Sequence, residues 1–92
     1  MKLYFIGIGG IGMSALVRYF LSKGDQVAGY DLTPSPLIDA LVQEGASVHF
    51  EDDPQSIPTA FRSPDVLVVY TPAVPQDLKE LCFFREQGNR VI

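Results

Sequence analysis

Two hydrophobic periods alternate along the chain. Leu3 to Ile8 is a continuous apolar run rich in aromatic and β-branched residues, the pattern of a strand buried on both faces. From about Gly12 to Lys23 the spacing becomes helical: Leu16 and Phe20 form one stripe, and Met13, Val17 and Leu21 form its neighbour, with Gly24 as C-cap. Val27 to Tyr30 reads as a second strand with Asp31 at its end. Ser35 then caps a second helix and Pro36 takes its first position. That helix carries Leu37, Ile38, Leu41 and Val42 on one face and stops at Gly45. Ser47 to Phe50 is a short third strand. Glu51 to Pro64, with three prolines and three acidic residues, is a loop with room for one helical turn. Val66 to Tyr70 is a fourth, buried strand. Thr71-Pro72-Ala73-Val74-Pro75 is a stiff loop, Gln76 to Gln87 a third helix closed by Gly88, and Arg90-Val91-Ile92 the start of a fifth strand.

Regular strand–helix alternation predicts a parallel sheet with right-handed crossovers. The expected fold is therefore α/β and Rossmann-like, with about five strands in the order 3-2-1-4-5 and helices on both faces. Ninety-two residues accommodate one domain, 1–92, and no second core. Because the last strand begins with no helix to cover it, the expectation is a fragment of a longer protein.

Composition narrows the function. A net charge of −4 and the absence of any Lys/Arg cluster argue against a nucleic-acid partner. Cys82 is the single cysteine, so neither an internal disulfide nor a cysteine metal cluster can form, and helix packing is its expected role. Met1-Lys2 and the apolar residues after them resemble a short signal sequence, but glycines break the run far short of a membrane span. A cytoplasmic protein without a membrane partner is expected.

Gly7-Ile8-Gly9-Gly10-Ile11-Gly12 matches G-x-G-x-x-G in the context that the pattern requires, after a strand and opening a helix. Such glycines allow a tight turn at Gly7, approach of a pyrophosphate at Gly9, and close helix–strand packing at Gly12. Gly10 adds freedom for amides to converge on an anion. The helix N-terminus offers unpaired N–H groups and about half a positive charge, so an acidic domain can still bind a diphosphate. Ser14 either adds a hydroxyl to the phosphate site or caps locally. No G-K-[ST] follows, which excludes an ATP-hydrolysing phosphate loop.

Asp31 follows Gly12 by about 20 residues, where an acidic side chain can accept from a ribose hydroxyl and repel a 2′-phosphate. The alternative is an aspartate that starts a turn. Thr71 to Pro75 follows strand four, beside strand one, and so overhangs the glycine turn across the switch-point crevice. His49 reads as a satisfied or half-exposed histidine rather than a base. Glu51, Asp52 and Asp53 read as a solvated loop, and the charged residues of the helices as solvent faces. No catalytic constellation is visible.

The string Tyr4-Phe5-Ile6-Gly7-Ile8-Gly9-Gly10-Ile11-Gly12-Met13-Ser14-Ala15-Leu16 resembles the opening of the Mur ligases of peptidoglycan synthesis, in the branch that joins L-alanine to UDP-N-acetylmuramate. The resemblance continues through Gly29-Tyr30-Asp31, Leu41 to Ala46 and Val69 to Val74, nearly the whole chain. It implies a UDP-binding N-terminal domain in which Gly7, Gly9, Gly10, Ile11, Gly12, Met13 and Ser14 meet the diphosphate. By the same resemblance Asp31 lies near the uridine ribose, and Thr71, Pro72 and Ala73 border the site. ATP, magnesium and L-alanine would be handled by further domains, leaving no cofactor or metal for this fragment, which would be inactive by itself. The chain departs from many relatives at Glu51-Asp52, where they carry Gly-His, and at Tyr70-Thr71, where a serine pair is common. Alternatives are the tripeptide-recycling ligase of the same family, which binds the same nucleotide sugar, and an NAD-binding module of a dehydrogenase or sensor.

Overall fold

Strand β1 (Lys2–Ile6) occupies the centre because its side chains are apolar on both faces. Leu3 and Phe5 point into one core and Tyr4 and Ile6 into the other, all four fully buried. The structure, a computed structural model, describes all residues 1–92. The remaining elements are α1 (Met13–Ser22), β2 (Gln26–Tyr30), α2 (Pro36–Gln43), β3 (Ser47–His49), two 3-10 turns at Pro54–Ser56 and Thr59–Phe61, β4 (Leu67–Tyr70) and α3 (Lys79–Gln87). The strands are all parallel, in the order β3-β2-β1-β4, with Phe5 opposite both Gly29 and Val69. Helices α1 and α2 cover one face through Met13, Val17, Ile38 and Leu41; α3 and the two 3-10 turns cover the other through Leu81, Phe84, Ile57 and Phe61.

The expected parallel α/β sheet is present, but with four strands rather than five. Arg90 to Ile92 lies beside β4 in the fifth position, yet pairs only through a single parallel bridge from Val91 to Val68. Three backbone hydrogen bonds hold it: Val68 N–H to the Arg90 carbonyl, Ile92 N–H to that of Val68, and Tyr70 N–H to that of Ile92. Three residues give too few paired positions for a ladder. Helix α3 also starts later than the proline-bounded pattern predicts, at Lys79 rather than Gln76. It begins where its first amides find an acceptor: Asp52, far away in sequence, takes the N–H groups of Lys79 and Glu80 at 2.8 and 3.0 Å. Ser35 caps α2 as expected, accepting from Ile38 N–H, with Pro36 in the first turn.

Candidate nucleotide-binding cleft

Parallel strands bring the loops after β1, β2 and β4 to one edge of the sheet. There they enclose a cleft of about 510 Å³. Gly7, Gly9 and Gly10 form one wall, Tyr30, Asp31 and Leu32 a second, and Thr71, Ala73, Val74 and Pro75 a third; Asp52 and Leu78 complete it.

Steric demands explain the first glycines. Gly7 has φ +84°, and a Cβ there would stand 2.4 Å from Thr71 Cγ2. A side chain is thus excluded both by backbone conformation and by the β4 loop. Gly9 has no positive φ, but a Cβ on it would stand 2.8 Å from Ile38 Cδ1 and 3.1 Å from Asp31 Oδ2. Gly12 differs from expectation. It has φ +81° and nothing within 4 Å of its Cβ position, so it serves the backbone conformation that leads into α1, not helix–strand packing.

The amides of the turn are divided between two uses. Gly10 N–H donates to the Gly7 carbonyl and Met13 N–H to that of Gly10, which closes the turn internally. Gly9 N–H donates to Asp31 Oδ2 at 2.9 Å, while Thr33 N–H donates to Asp31 Oδ1 at 3.0 Å. Ile11 and Gly12 make no hydrogen bond through their N–H groups within the chain, and both residues are exposed. Two free amides at the N-terminus of a ten-residue helix are donors suited to an anion.

Of the eleven residues expected at the site, Gly7, Gly9, Gly10, Asp31, Thr71 and Ala73 line the cleft together. Ile11 and Gly12 lie on the same glycine turn, and Ser14 is half-buried in the first turn of α1. Met13 points away: its side chain is 5 % exposed and packs in the core with Val17. Pro72 is exposed and outside the lining. Asp31 starts a local turn at Thr33, the second of the two roles read for it, and its other oxygen fastens Gly9 of the glycine turn. Both its oxygens already accept a backbone donor, and each keeps lone-pair capacity for another.

Two acidic residues depart from the solvated roles read in sequence. Asp52 walls the cleft and caps α3. Glu80 is fully buried, and its carboxylate collects Tyr4 Oη at 2.5 Å, His49 Nε2 at 2.5 Å and the Asp53 N–H at 3.3 Å. His49 is accordingly a satisfied histidine. The Tyr4 phenol is held far above its ordinary range by burial and then by the neighbouring Glu80 charge; burial and then Asp52 raise that of Tyr30. Both therefore stay neutral, Tyr30 in the cleft wall and Tyr4 in the core. A signal for Glu80 existed, since it precedes the buried Phe84 by one helical turn and so shares its inward face. Asp52 carried none, because its partners lie 27 and 28 residues away.

The residues here do not fit a magnesium ion. No three His, Cys, Asp or Glu side chains converge, and both cleft carboxylates are engaged by backbone amides. No helix is long and apolar enough to cross a membrane.

A profile described as "Mur ligase family, catalytic domain" matches residues 2–92. The chain belongs to the Mur ligase family. Within that family it is 63% identical over 92 residues to a UDP-N-acetylmuramate–L-alanine ligase of Porphyromonas gingivalis (strain ATCC BAA-308 / W83), covering 99% of this chain and 20% of that protein. A ligase of the same name from Phocaeicola vulgatus is 62% identical over 91 residues, again covering 20% of its length. The chain thus spans about a fifth of the curated relatives it matches. Among solved structures, the UDP-N-acetylmuramate-alanine ligase of Thermotoga maritima superimposes with a TM-score of 0.85 at 32% identity, over 99% of this chain and 20% of that one. An anaerobilin reductase of Escherichia coli O157:H7 shares the fold alone, with a TM-score of 0.69 at 20% identity, over 97% of this chain and 47% of that one.

Proposed function

We propose that this chain is the UDP-binding domain of a cytoplasmic, ATP-dependent ligase that joins L-alanine to UDP-N-acetylmuramate in peptidoglycan synthesis. The observation that carries the reading is the pair of free amides at Ile11 and Gly12, on the turn whose Gly7, Gly9 and Gly10 line a cleft at the switch point of a parallel sheet. They are the donors for the diphosphate, assisted by the α1 N-terminus. The Asp31 carboxylate, fastened to Gly9 and Thr33, faces the ribose diol with its remaining lone pairs. The apolar surface of Leu32, Val74, Pro75 and Leu78 covers the less polar parts of the ligand. Thr71 and Ala73 form the rim of the β4 loop.

The names of the similar ligases support the choice of substrate and of L-alanine as amino acid. Further domains, in the portion of the relatives that this chain does not span, bind ATP and magnesium and activate the muramoyl carboxylate. By this reading the chain binds and orients the nucleotide sugar but performs no ligation alone. The test is an NMR titration with UDP, UDP-N-acetylmuramate and NAD. Shifts of the Ile11 and Gly12 amides with the two uridine nucleotides, and not with NAD, are expected. Preference for NAD would overturn the assignment.

A further inference from the structure

Two segments far apart in sequence complete the lining of the cleft, through Asp52 and Leu78. One is the loop after β3, with Asp52 and Asp53; the other is the start of α3, with Leu78, Lys79 and Glu80. They exchange hydrogen bonds in both directions. Asp52 Oδ2 and Oδ1 accept from the N–H groups of Lys79 and Glu80 at 2.8 and 3.0 Å, and Glu80 Oε2 accepts from the N–H of Asp53 at 3.3 Å. This is the reciprocity of a capping box, in which a side chain caps the helix and a helix carboxylate returns to the backbone of the capping segment. Here it is assembled across 27 and 28 residues rather than within one turn.

The returning carboxylate is unusual in being fully buried. Its other contacts reach the sheet: Tyr4 on β1 donates to Oε1, and His49 on β3 pairs with Oε2. A buried carboxylate with several polar partners has one low-energy position, because moving it leaves a charge or a donor unsatisfied. Glu80 therefore ties the Asp52 loop and the α3 start to the sheet that carries the glycine turn, yet it lines no part of the cleft itself.

We propose that Glu80 is a positioning residue for the UDP cleft, its carboxylate holding the Asp52–Asp53 loop through the Asp53 N–H and so keeping Asp52 in the cleft lining. The proposal rests on the UDP-binding reading above. Removing the Glu80 charge frees the Asp52–Asp53 loop, and ligand binding must then order that loop as well as the ligand.

The experiment is a double-mutant cycle on the full chain with Glu80→Gln, Asp52→Ala and the combination. It is read as the Kd for UDP, well below each melting temperature, together with the Ile11 and Gly12 amide shifts at saturation. Each single variant should bind UDP about tenfold more weakly, equivalent to about 1.4 kcal/mol. The double variant should bind no worse than the weaker single, because one acts through the other. Saturated shifts at Ile11 and Gly12 should match the parent in every variant, as the glycine turn is untouched. Parental affinity in Glu80→Gln, or additive losses in the double variant, would overturn the proposal. If Glu80→Gln does not fold, parental affinity in Asp52→Ala is enough to reject it. Failure of the parent chain to shift Ile11 and Gly12 with UDP instead overturns the UDP-binding reading, and this proposal with it.

Discussion

Replacing Gly9 by valine tests the contact between the glycine turn and Asp31. Gly9 has no positive φ, so the obstacle is space rather than backbone conformation. A Cβ there would stand 2.8 Å from Ile38 Cδ1 and 3.1 Å from Asp31 Oδ2, and valine adds two more carbons. Ile38 is 1% exposed within the core and has little room to retreat, so the Asp31 carboxylate must withdraw. Its 2.9 Å bond from the Gly9 N–H is then lost. A hydrogen bond to a charged group contributes about 1.5–3 kcal/mol. In this case it fixes the turn that presents the Ile11 and Gly12 amides, so losing it removes preorganisation as well as a contact. Conversion at about 1.4 kcal/mol per decade predicts roughly ten- to hundredfold weaker binding of UDP-N-acetylmuramate. Calorimetric titration, after circular dichroism confirms that the variant is folded, measures the loss. A folded Gly9→Val chain with the parent's affinity, beside an Asp31→Asn chain that no longer binds, would show that the ligand does not sit on the glycine turn.

Asp31→Asn keeps one acceptor oxygen for two backbone donors, so either Gly9 or Thr33 loses its partner. Stability should fall by about 1–3 kcal/mol, each kcal/mol lowering Tm by about 4–8 °C in thermal melts. Tyr4→Phe should flatten the alkaline limb of the stability curve. With its pKa raised, Tyr4 keeps its proton in the folded chain while the unfolded chain releases it above about pH 10, so folding stability falls as pH rises there. Denaturant titrations between pH 9 and 11 should show the parent losing stability faster than the variant, and equal slopes would refute it. Amide exchange should be fastest, among the paired segments, at Arg90 to Ile92, held by one bridge and three hydrogen bonds. Protection there equal to that of β1 would contradict the isolated-bridge geometry.

Much of the fold was legible along the chain because its signals are local. Apolar runs at Leu3 to Ile8 and Val66 to Tyr70 mark strands buried on both faces, and such strands become β1 and β4. Ser35-Pro36 and the closing glycines mark helix ends through φ preferences and capping that act within a few residues. The start of α3 departs from the local pattern for the complementary reason. Pro75-Gln76 supplies a plausible local beginning, but the helix waits for the distant Asp52 carboxylate to accept its first amides. The fifth strand stays a single bridge because two β-formers, Val91 and Ile92, carry propensity without the length to build a ladder.

For the cleft, the sequence alone determined which residues form the glycine turn and which acidic residue ends β2, since both depend on spacing along consecutive elements. Tertiary structure decided how those groups are used. It fastened Gly9 to Asp31, left Ile11 and Gly12 as the free donors, turned Met13 into the core and made Gly12 a conformational rather than a packing glycine. It also drew Glu80, Tyr4 and His49 into one buried cluster and set Asp52 at the head of α3. The physical reason is range. Backbone preference and hydrophobic period act over a few neighbours and can be read in order, whereas a buried charge is stable only where several separate segments deliver its partners together.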